Sequence, residues 1–179
     1  MAINSKQKGN RFERDIANML SERFSEYTGK PQSFRRNADS GSFWGGKNKD
    51  RKETHDTQFA IYGDLVCPSE FRFTVECKNY KTAPLLSSII VGKVGEWDTW
   101  LAQAKQDAEQ CARDYILIIK YNRTEIFCLL DKNILNNTCI EPVLCYNSTV
   151  GVKLDSLLKL NDKFFFRNDD LEQRAGKTE

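Results

Sequence analysis

The stretch "GDLVCPSEFRFTVECKNYK", residues 63 to 81, places charged side chains inside two runs that otherwise have the composition of strands. Asp64 stands at the head of the first apolar run, and Glu76 and Lys78 lie within the second. Because side chains alternate between the two faces of a strand, Glu76 and Lys78 project on the same side. We expect the two runs to form an antiparallel hairpin through Pro68-Ser69, which would bring Asp64 close to the Glu76 and Lys78 pair.

Two carboxylates and one ammonium at one end of a hairpin form a pattern with chemical consequences. Converging carboxylates repel each other unless a cation or a proton offsets their charge. Hard divalent ions such as Mg²⁺ take carboxylate oxygens as ligands, together with substrate phosphates and water. A lysine beside such an ion can position or deprotonate a water, or neutralise charge that develops on a phosphate. The alternative is that Glu76 and Lys78 form a solvent-facing ion pair on an exposed sheet.

Residues 10 to 26 predict an amphipathic helix that carries a further carboxylate. Its apolar side chains recur at helical spacing, and they are Phe12, Ile16, Met19, Leu20 and Phe24. At 100° per residue, Glu13 falls inside the apolar arc, so its carboxylate points inward. Burying an unpaired carboxylate is costly, and a nearby metal site would give Glu13 a partner. The alternative is a residue at the rim of the arc whose side chain reaches solvent.

The remaining pattern predicts an α/β chain in the order α, β, β, β, α, β, β. We expect a short strand at 32–36, a helix at 96–114, and strands at 115–121 and 125–130. The chain of 179 residues suits a single domain, which we place at residues 1–166 with its core at about 8–130. Residues 167–179 are a charged tail that we expect to fray.

Composition excludes several classes of function. The longest apolar stretches, such as "YILIIKY" at 115–121, are too short to cross a bilayer, so we expect a cytoplasmic protein with no membrane partner. His55 is the single histidine, which argues against a histidine zinc site or a catalytic triad. The six cysteines are scattered through apolar segments, and we interpret them as reduced core residues.

The segment from Lys30 to Lys52 is the most basic part of the chain, with seven Lys or Arg against two Asp. It includes a long loop at 37–56 that is rich in glycine and serine. Its cations can neutralise phosphates, and its aromatic side chains can stack on bases exposed at a branch point. A second basic stretch, Lys6 to Arg11, precedes the first helix. The alternative for the loop is a solvated connector whose aromatic side chains pack on the protein itself.

Taken together, "KGNRFERDIANML" with Glu13, "GDLV" with Asp64, and "VECKNYK" with Glu76 and Lys78 resemble the PD-(D/E)-x-K nuclease superfamily. Within it, the chain is similar to the archaeal-type and phage Holliday junction resolvases. Their opening pattern KGxxxERxxxxxL is matched by Lys8, Gly9, Glu13, Arg14 and Leu20. The resemblance covers about residues 8 to 121, and it implies a restriction-endonuclease-like mixed central sheet flanked by helices.

The resemblance also implies roles for individual residues. It makes Asp64 and Glu76 ligands of Mg²⁺, for which Mn²⁺ would substitute, Glu13 an additional ligand, and Lys78 the catalytic lysine. The family serine corresponds to Ser40 or Ser42, a choice that stays open. The residues that we expect to contact DNA are Lys8, Arg11, Arg35, Arg36, Ser40, Ser42, Phe43, Trp44, Lys47, Lys49, Arg51 and Lys52.

The function that these expectations support is a Mg²⁺-dependent DNA endonuclease that cuts branched DNA as a homodimer, since a two-fold junction needs two sites. If the protein comes from a phage, its location would be the host cytoplasm. Two alternatives stay open. One is a restriction-like or nicking endonuclease that acts on linear duplex. The other is a catalytically idle DNA-binding module of the same fold.

Overall fold

A computed structural model describes residues 5–37, 62–136 and 138–167 of the chain. The helices are α1 (Ser5–Arg23), α2 (Ser25–Thr28), α3 (Leu86–Ile90), α4 (Gly95–Gln110), α5 (Leu154–Leu157) and α6 (Asp162–Phe165), with a 3₁₀ turn at Lys132–Leu135. The strands are β1 (Arg35–Arg36), β2 (Leu65–Val66), β3 (Phe73–Tyr80), β4 (Asp114–Tyr121), β5 (Phe127–Asp131), β6 (Leu144–Tyr146) and β7 (Thr149–Lys153).

A five-stranded mixed sheet with the order β3-β4-β5-β7-β6 organises these elements. The pair β3 and β4 is parallel, and every other pair in the sheet is antiparallel. A parallel pair requires a crossover connection, which the segment containing α4 supplies. The strand β3 therefore lies at one edge of the sheet, with one side of its backbone not bonded to β4.

The two faces of this sheet are covered by different helices. One buried cluster contains Val75, Ile116 and Ile118 together with apolar residues of α1. The other contains Leu117 and Ile119, the intervening residues of β4, together with Trp97 and its neighbours on α4. Alternation along β4 thus sends side chains to α1 and α4 in turn. The predicted α/β fold, a mixed sheet flanked by helices, is confirmed.

An aromatic cluster joins α1 to the end of the described chain. Phe24 is fully buried, and its ring centroid lies 4.9 Å from that of Phe165 and 5.1 Å from that of Phe166. Phe71 and Phe34 pack edge to face in the same cluster, with centroids 4.9 Å apart. Residues up to Phe166 therefore contribute to the same core as α1.

The predicted hairpin between the two opening runs is wrong. Strand β2 pairs antiparallel with β1, with Arg35 opposite Val66, and forms a separate two-stranded sheet. The chain turns at Ser69 and Glu70, β3 pairs with β4 along one edge, and at its other edge the Asp64 carboxylate, instead of a backbone carbonyl, accepts the N–H of Cys77. The strand-like residues 59–61, which precede the quoted stretch, lie outside the described residues.

Other sequence expectations hold with shifted boundaries. The first helix begins at Ser5 instead of residue 10, and the predicted helix at 96–114 ends at Gln110. The single-domain boundaries stay a prediction, as does the charged tail, of which residues 168–179 lie outside the description. The strands β6 and β7 extend the sheet beyond the predicted core.

All six cysteines are free in the structure, and only some of them are in the core. Cys77, Cys111 and Cys128 are buried, whereas Cys139 and Cys145 are exposed. The interpretation of all six as core residues is therefore wrong for those two. Within the described ranges, no helix has the length and apolar character needed to cross a membrane.

The aromatic cluster generates a stability prediction. Replacing Phe24 by alanine removes a buried ring that touches both Phe165 and Phe166, and we expect it to lower the free energy of unfolding by about 3–5 kcal/mol. Tyr27 is the matched control, because its ring also stacks on Phe166 but the residue is 40% exposed. Urea denaturation of Phe24→Ala and Tyr27→Ala compares the two. Equal losses would contradict a central place for Phe24 in this core.

Candidate active site

Asp64 forms hydrogen bonds with the free edge of β3. The backbone N–H of Asp64 donates to the carbonyl of Val75 at 2.8 Å, and its carboxylate Oδ2 accepts the N–H of Cys77, also at 2.8 Å. Asp64 thus bonds to the two backbone groups of β3 that a further strand would otherwise use. This contact, instead of a complete hairpin, brings Asp64 beside the pair Glu76 and Lys78.

Neighbouring backbone contacts fix Asp64 in place. Gly63 has a φ of +78°, and a Cβ at this position would lie 2.8 Å from the carbonyl oxygen of Val75. The buried residue Asn37 donates its backbone N–H to the Asp64 carbonyl at 2.8 Å and its side-chain Nδ2 to the Gly63 carbonyl at 3.1 Å. Only glycine combines this left-handed conformation with such a close approach to a neighbouring strand.

Glu76 and Lys78 lie on the same face of β3, as predicted. The ammonium of Lys78 donates to Glu76 Oε2 at 2.9 Å and lies 4.0 Å from Asp64 Oδ2. The Glu76 side chain is only 2% exposed and that of Lys78 is 18% exposed. The alternative of a solvent-facing ion pair is therefore wrong. One ammonium is shared between two buried carboxylates.

The charges of the site shift one another's protonation. Burial raises the pKa of Glu76, the neighbouring Asp64 carboxylate raises it further, and Lys78 only partly offsets these effects. Burial lowers the pKa of Lys78, but the Glu76 and Asp64 carboxylates outweigh it, so the pKa of Lys78 is raised. The pair therefore keeps the lysine as an ammonium.

Glu13 reaches the same region from α1, and its inward orientation is as predicted. Its partner is Arg36, whose Nε donates to Glu13 Oε2 at 2.5 Å, while another guanidinium nitrogen of Arg36 donates to Asn10 at 3.1 Å. Burial and the Asp64 carboxylate raise the pKa of Glu13, and Arg36 acts in the opposite direction. Arg36, which we expected to contact DNA, is thus engaged with a carboxylate.

The predicted set of three carboxylates is not assembled as a single cluster. Within residues 5–37, 62–136 and 138–167, no group of three or more His, Cys, Asp or Glu side chains is arranged to hold a metal ion. Asp64 and Glu76 do offer carboxylate oxygens, the donors that Mg²⁺ prefers. With one ammonium between two carboxylates, their chemistry fits a divalent cation, whereas the Glu13 carboxylate is bound to Arg36.

Sequence reasoning did not find three residues that shape this site. Gln103 of α4 donates its side-chain amide to Glu76 Oε1 at 3.4 Å, so each oxygen of Glu76 has a partner. Asn37 was assigned to a loop, and Gly63 was quoted without a role. A signal existed for Gly63, since an isolated glycine in a strand-like run suggests a bulge or a close backbone approach. Gln103 and Asn37 are distant in sequence from the other site residues, and no sequence pattern pointed to either of them.

Apart from Arg36, the residues that we expected to contact DNA fall into three groups. Lys8 and Arg11 line a cleft beside the end of β3. Arg35 lines a different cleft with Lys30 and Arg167. Arg35 and Arg36 are neighbours on β1, so their side chains point to opposite sides of the strand. The others lie outside the described residues, and they are Ser40, Ser42, Phe43, Trp44, Lys47, Lys49, Arg51 and Lys52.

Comparisons with known proteins agree with this geometry. A family model described as "Phage putative PDDEXK endonuclease" matches residues 4–161 of the chain. No curated protein and no solved structure matches the chain. The matched range contains Glu13, Asp64, Glu76 and Lys78, and it covers most of the 179 residues. The chain therefore belongs to the phage PDDEXK endonuclease family, within the PD-(D/E)-x-K nuclease superfamily.

Proposed function

We propose that the protein is a Mg²⁺-dependent endodeoxyribonuclease that cuts branched DNA. The observation that carries the nuclease chemistry is the Lys78 ammonium held 2.9 Å from Glu76 and 4.0 Å from Asp64 at the free edge of β3. The preference for branches rests on the α1 pattern with Lys8, Gly9 and Glu13, which resembles that of junction resolvases. Mn²⁺ would substitute for Mg²⁺.

In this proposal Asp64 and Glu76 hold the metal ion through their carboxylates. The ion supplies, when bound, a Lewis acid that polarises the phosphate and activates water for in-line attack. The Lys78 ammonium stabilises the negative charge that grows on the phosphate oxygens during attack. The backbone N–H of Cys77 and the Gln103 amide orient the two carboxylates, because each already donates to one of them.

Glu13 has a different role from that of a plain metal ligand in this arrangement. Its carboxylate holds the Arg36 guanidinium and adds negative charge near Asp64. To bind the metal ion as an additional ligand, Glu13 would have to share its carboxylate between the ion and Arg36, or break its ion pair with Arg36. We therefore assign it to positioning first, with direct ligation as the alternative.

The substrate is tested by direct comparison of DNA structures. A labelled four-way junction, a linear duplex of equal length and a single strand are incubated with the protein and Mg²⁺, and the products are resolved on a denaturing gel. We expect symmetric nicks in the junction and slower cutting of the duplex. Sequence-dependent cutting of the duplex at the junction rate would favour the restriction-like alternative, and cutting of none would favour a DNA-binding module.

Two nicks placed across a two-fold junction require two sites, so a homodimer is part of this proposal. Light scattering on the protein with and without the junction in Ca²⁺ measures its stoichiometry. We expect two chains for each junction. A single chain bound to each junction would exclude paired cutting by a dimer.

Substitutions at the shared charges test the chemistry. We expect Asp64→Asn, Glu76→Gln and Lys78→Ala each to lower the cleavage rate at least about a thousandfold, a loss of about 4 kcal/mol of transition-state stabilisation. The two carboxylate variants should also weaken Mn²⁺ binding measured by electron paramagnetic resonance, because each removes an anionic ligand, whereas Lys78→Ala should retain it.

The chain offers a matched control for these variants. Glu125 and Lys153 form an ion pair at 2.7 Å whose side chains are 74% and 51% exposed. Since an exposed pair contributes little, Glu125→Gln and Lys153→Ala should leave cleavage and Mn²⁺ binding unchanged. A folded variant of Asp64, Glu76 or Lys78 that cuts as fast as these controls would remove that residue from the active site.

Gly63 provides a test of how the site is positioned. Gly63→Ala would place a Cβ 2.8 Å from the Val75 carbonyl, so we expect Asp64 to shift and cleavage to fall at least about tenfold, about 1.4 kcal/mol. Gly29 is the matched control, because its φ is also positive, at +63°, but a Cβ there meets nothing within 4 Å. Both substitutions incur the cost of a left-handed alanine, about 1–2 kcal/mol, measured by thermal unfolding. Equal cleavage rates for folded Gly63→Ala and Gly29→Ala would show that the close approach to β3 does not position Asp64.

A further inference from the structure

A cleft beside the carboxyl end of β3 includes two residues that have no role in the proposed site, Asn79 and Lys120. It has a volume of about 510 Å³ and is lined in part by Lys8, Arg11 and Asp15 of α1, Asn79 of β3 and Lys120 of β4. Asn79 and Lys120 face each other in the parallel register of β3 and β4, one position beyond Lys78. The cleft therefore lies at the same strand end as the proposed active site but on the α1 face of the sheet, whereas Glu76 and Lys78 project to the α4 face.

The charge of this cleft is positive and largely uncompensated. Arg11 and Asp15 are separated by 4.0 Å, and with side chains 81% and 62% exposed they attract each other weakly. Lys8 donates to the neutral carboxamide of Asn122 at 2.7 Å, which leaves its charge intact. No carboxylate of the described residues forms an ion pair with Lys120.

Lys120 is the unusual member of the set. On β4, Ile116 and Ile118 face α1 from inside the buried core, and alternation puts Lys120 third on the same face. Its side chain is therefore directed under α1 instead of outward, and the residue is only partly exposed. An anionic ligand in the cleft would give this ammonium a partner of opposite charge.

We propose that this cleft binds a backbone phosphate of the DNA strand that enters the active site, with Lys120 and Asn79 as its contacts on the sheet and Lys8 and Arg11 on the helix. The inference rests on the proposed nuclease function. Lysine and arginine supply the charge, and the Asn79 carboxamide can donate to a phosphate oxygen, as such side chains commonly do in DNA complexes. Ligands of α/β proteins bind in the crevice outside the carboxyl ends of parallel strands, which is where β3 and β4 end here.

The proposal makes the cleft a site for positioning the strand without reading its sequence. A phosphate contact contributes equally to every DNA sequence, and it appears in the salt dependence of binding. The test is therefore a binding measurement in Ca²⁺, which permits binding without supporting cleavage. Fluorescence anisotropy with a duplex and a junction of equal length is measured between 50 and 200 mM salt, a range over which phosphate contacts change affinity by orders of magnitude.

Lys120→Gln should weaken binding to both DNAs and reduce the slope of log K against log salt by about 0.9, the value for one lost phosphate contact. Lys120→Arg keeps the charge and should restore the slope. Lys159 is the matched control, because it is exposed and adjoins Leu158, whose carbonyl accepts from Arg23 at the far end of α1. That end lies about 18 Å along the helix axis from Arg11 of the cleft. Lys159→Gln should leave the slope unchanged.

A second measurement distinguishes binding of a DNA phosphate from binding of free inorganic phosphate. Inorganic phosphate is titrated calorimetrically into the wild type and Lys120→Gln. Binding of inorganic phosphate that depends on Lys120, with no change in the DNA salt slope, would overturn the proposal in favour of a small-anion site. The Lys120→Gln variant could instead be folded, still cut DNA and have the same salt slope as Lys159→Gln. That result would overturn the phosphate site in the cleft and leave the nuclease function standing. A wild type that neither binds nor cuts any DNA would reject both.

Discussion

The sharing of one ammonium between two buried carboxylates is the interaction on which the rest of the site depends. Lys78 bonds to Glu76 and lies near Asp64, and the side chain of Glu76 is almost completely removed from water. Burial of two carboxylates beside a single cation costs free energy, because like charges repel and both lose hydration. Burial and the Asp64 carboxylate raise the pKa of Glu76, whereas attraction to the two carboxylates raises the pKa of Lys78 against the effect of burial. The surrounding fold has to hold these groups together against their own electrostatics.

The edge position of β3 supplies the means to do so. An unpaired edge presents N–H and carbonyl groups that need partners, and in this protein Asp64 bonds to those of Val75 and Cys77. A complete hairpin would have filled the edge with backbone partners and left no place for a carboxylate at Cys77. The close approach of the Gly63 backbone to the Val75 carbonyl is therefore a structural requirement of the site, in addition to the turn that Gly63 makes.

The parts of this arrangement that sequence could predict are those set by local periodicity. Helical spacing placed Glu13 on the inner arc of α1, and strand alternation placed Glu76 and Lys78 on one face of β3. The partner of Glu13 could not be predicted, since Arg36 lies on a two-residue strand whose position depends on β2. The same limit applies to the hairpin, where two strand-like runs joined by a short turn favoured direct pairing. The side chain of Asp64 takes the place of a strand at the free edge of β3, a contact that no local pattern records.

The cost of the buried charges also explains why the site is built from several elements instead of one. Asp64 comes from the edge, Glu76 and Lys78 from β3, and Gln103 from α4, so each carboxylate is restrained by a group on a different segment. A buried carboxylate held by one flexible partner could relieve its strain by rotating toward solvent, whereas one restrained from two directions cannot. In the proposed reaction, carboxylates fixed in this way would hold a cation, and the Lys78 ammonium would face the phosphate, without reorganising during the reaction. In the proposed reaction, a bound cation would offset part of the cost of burying these carboxylates.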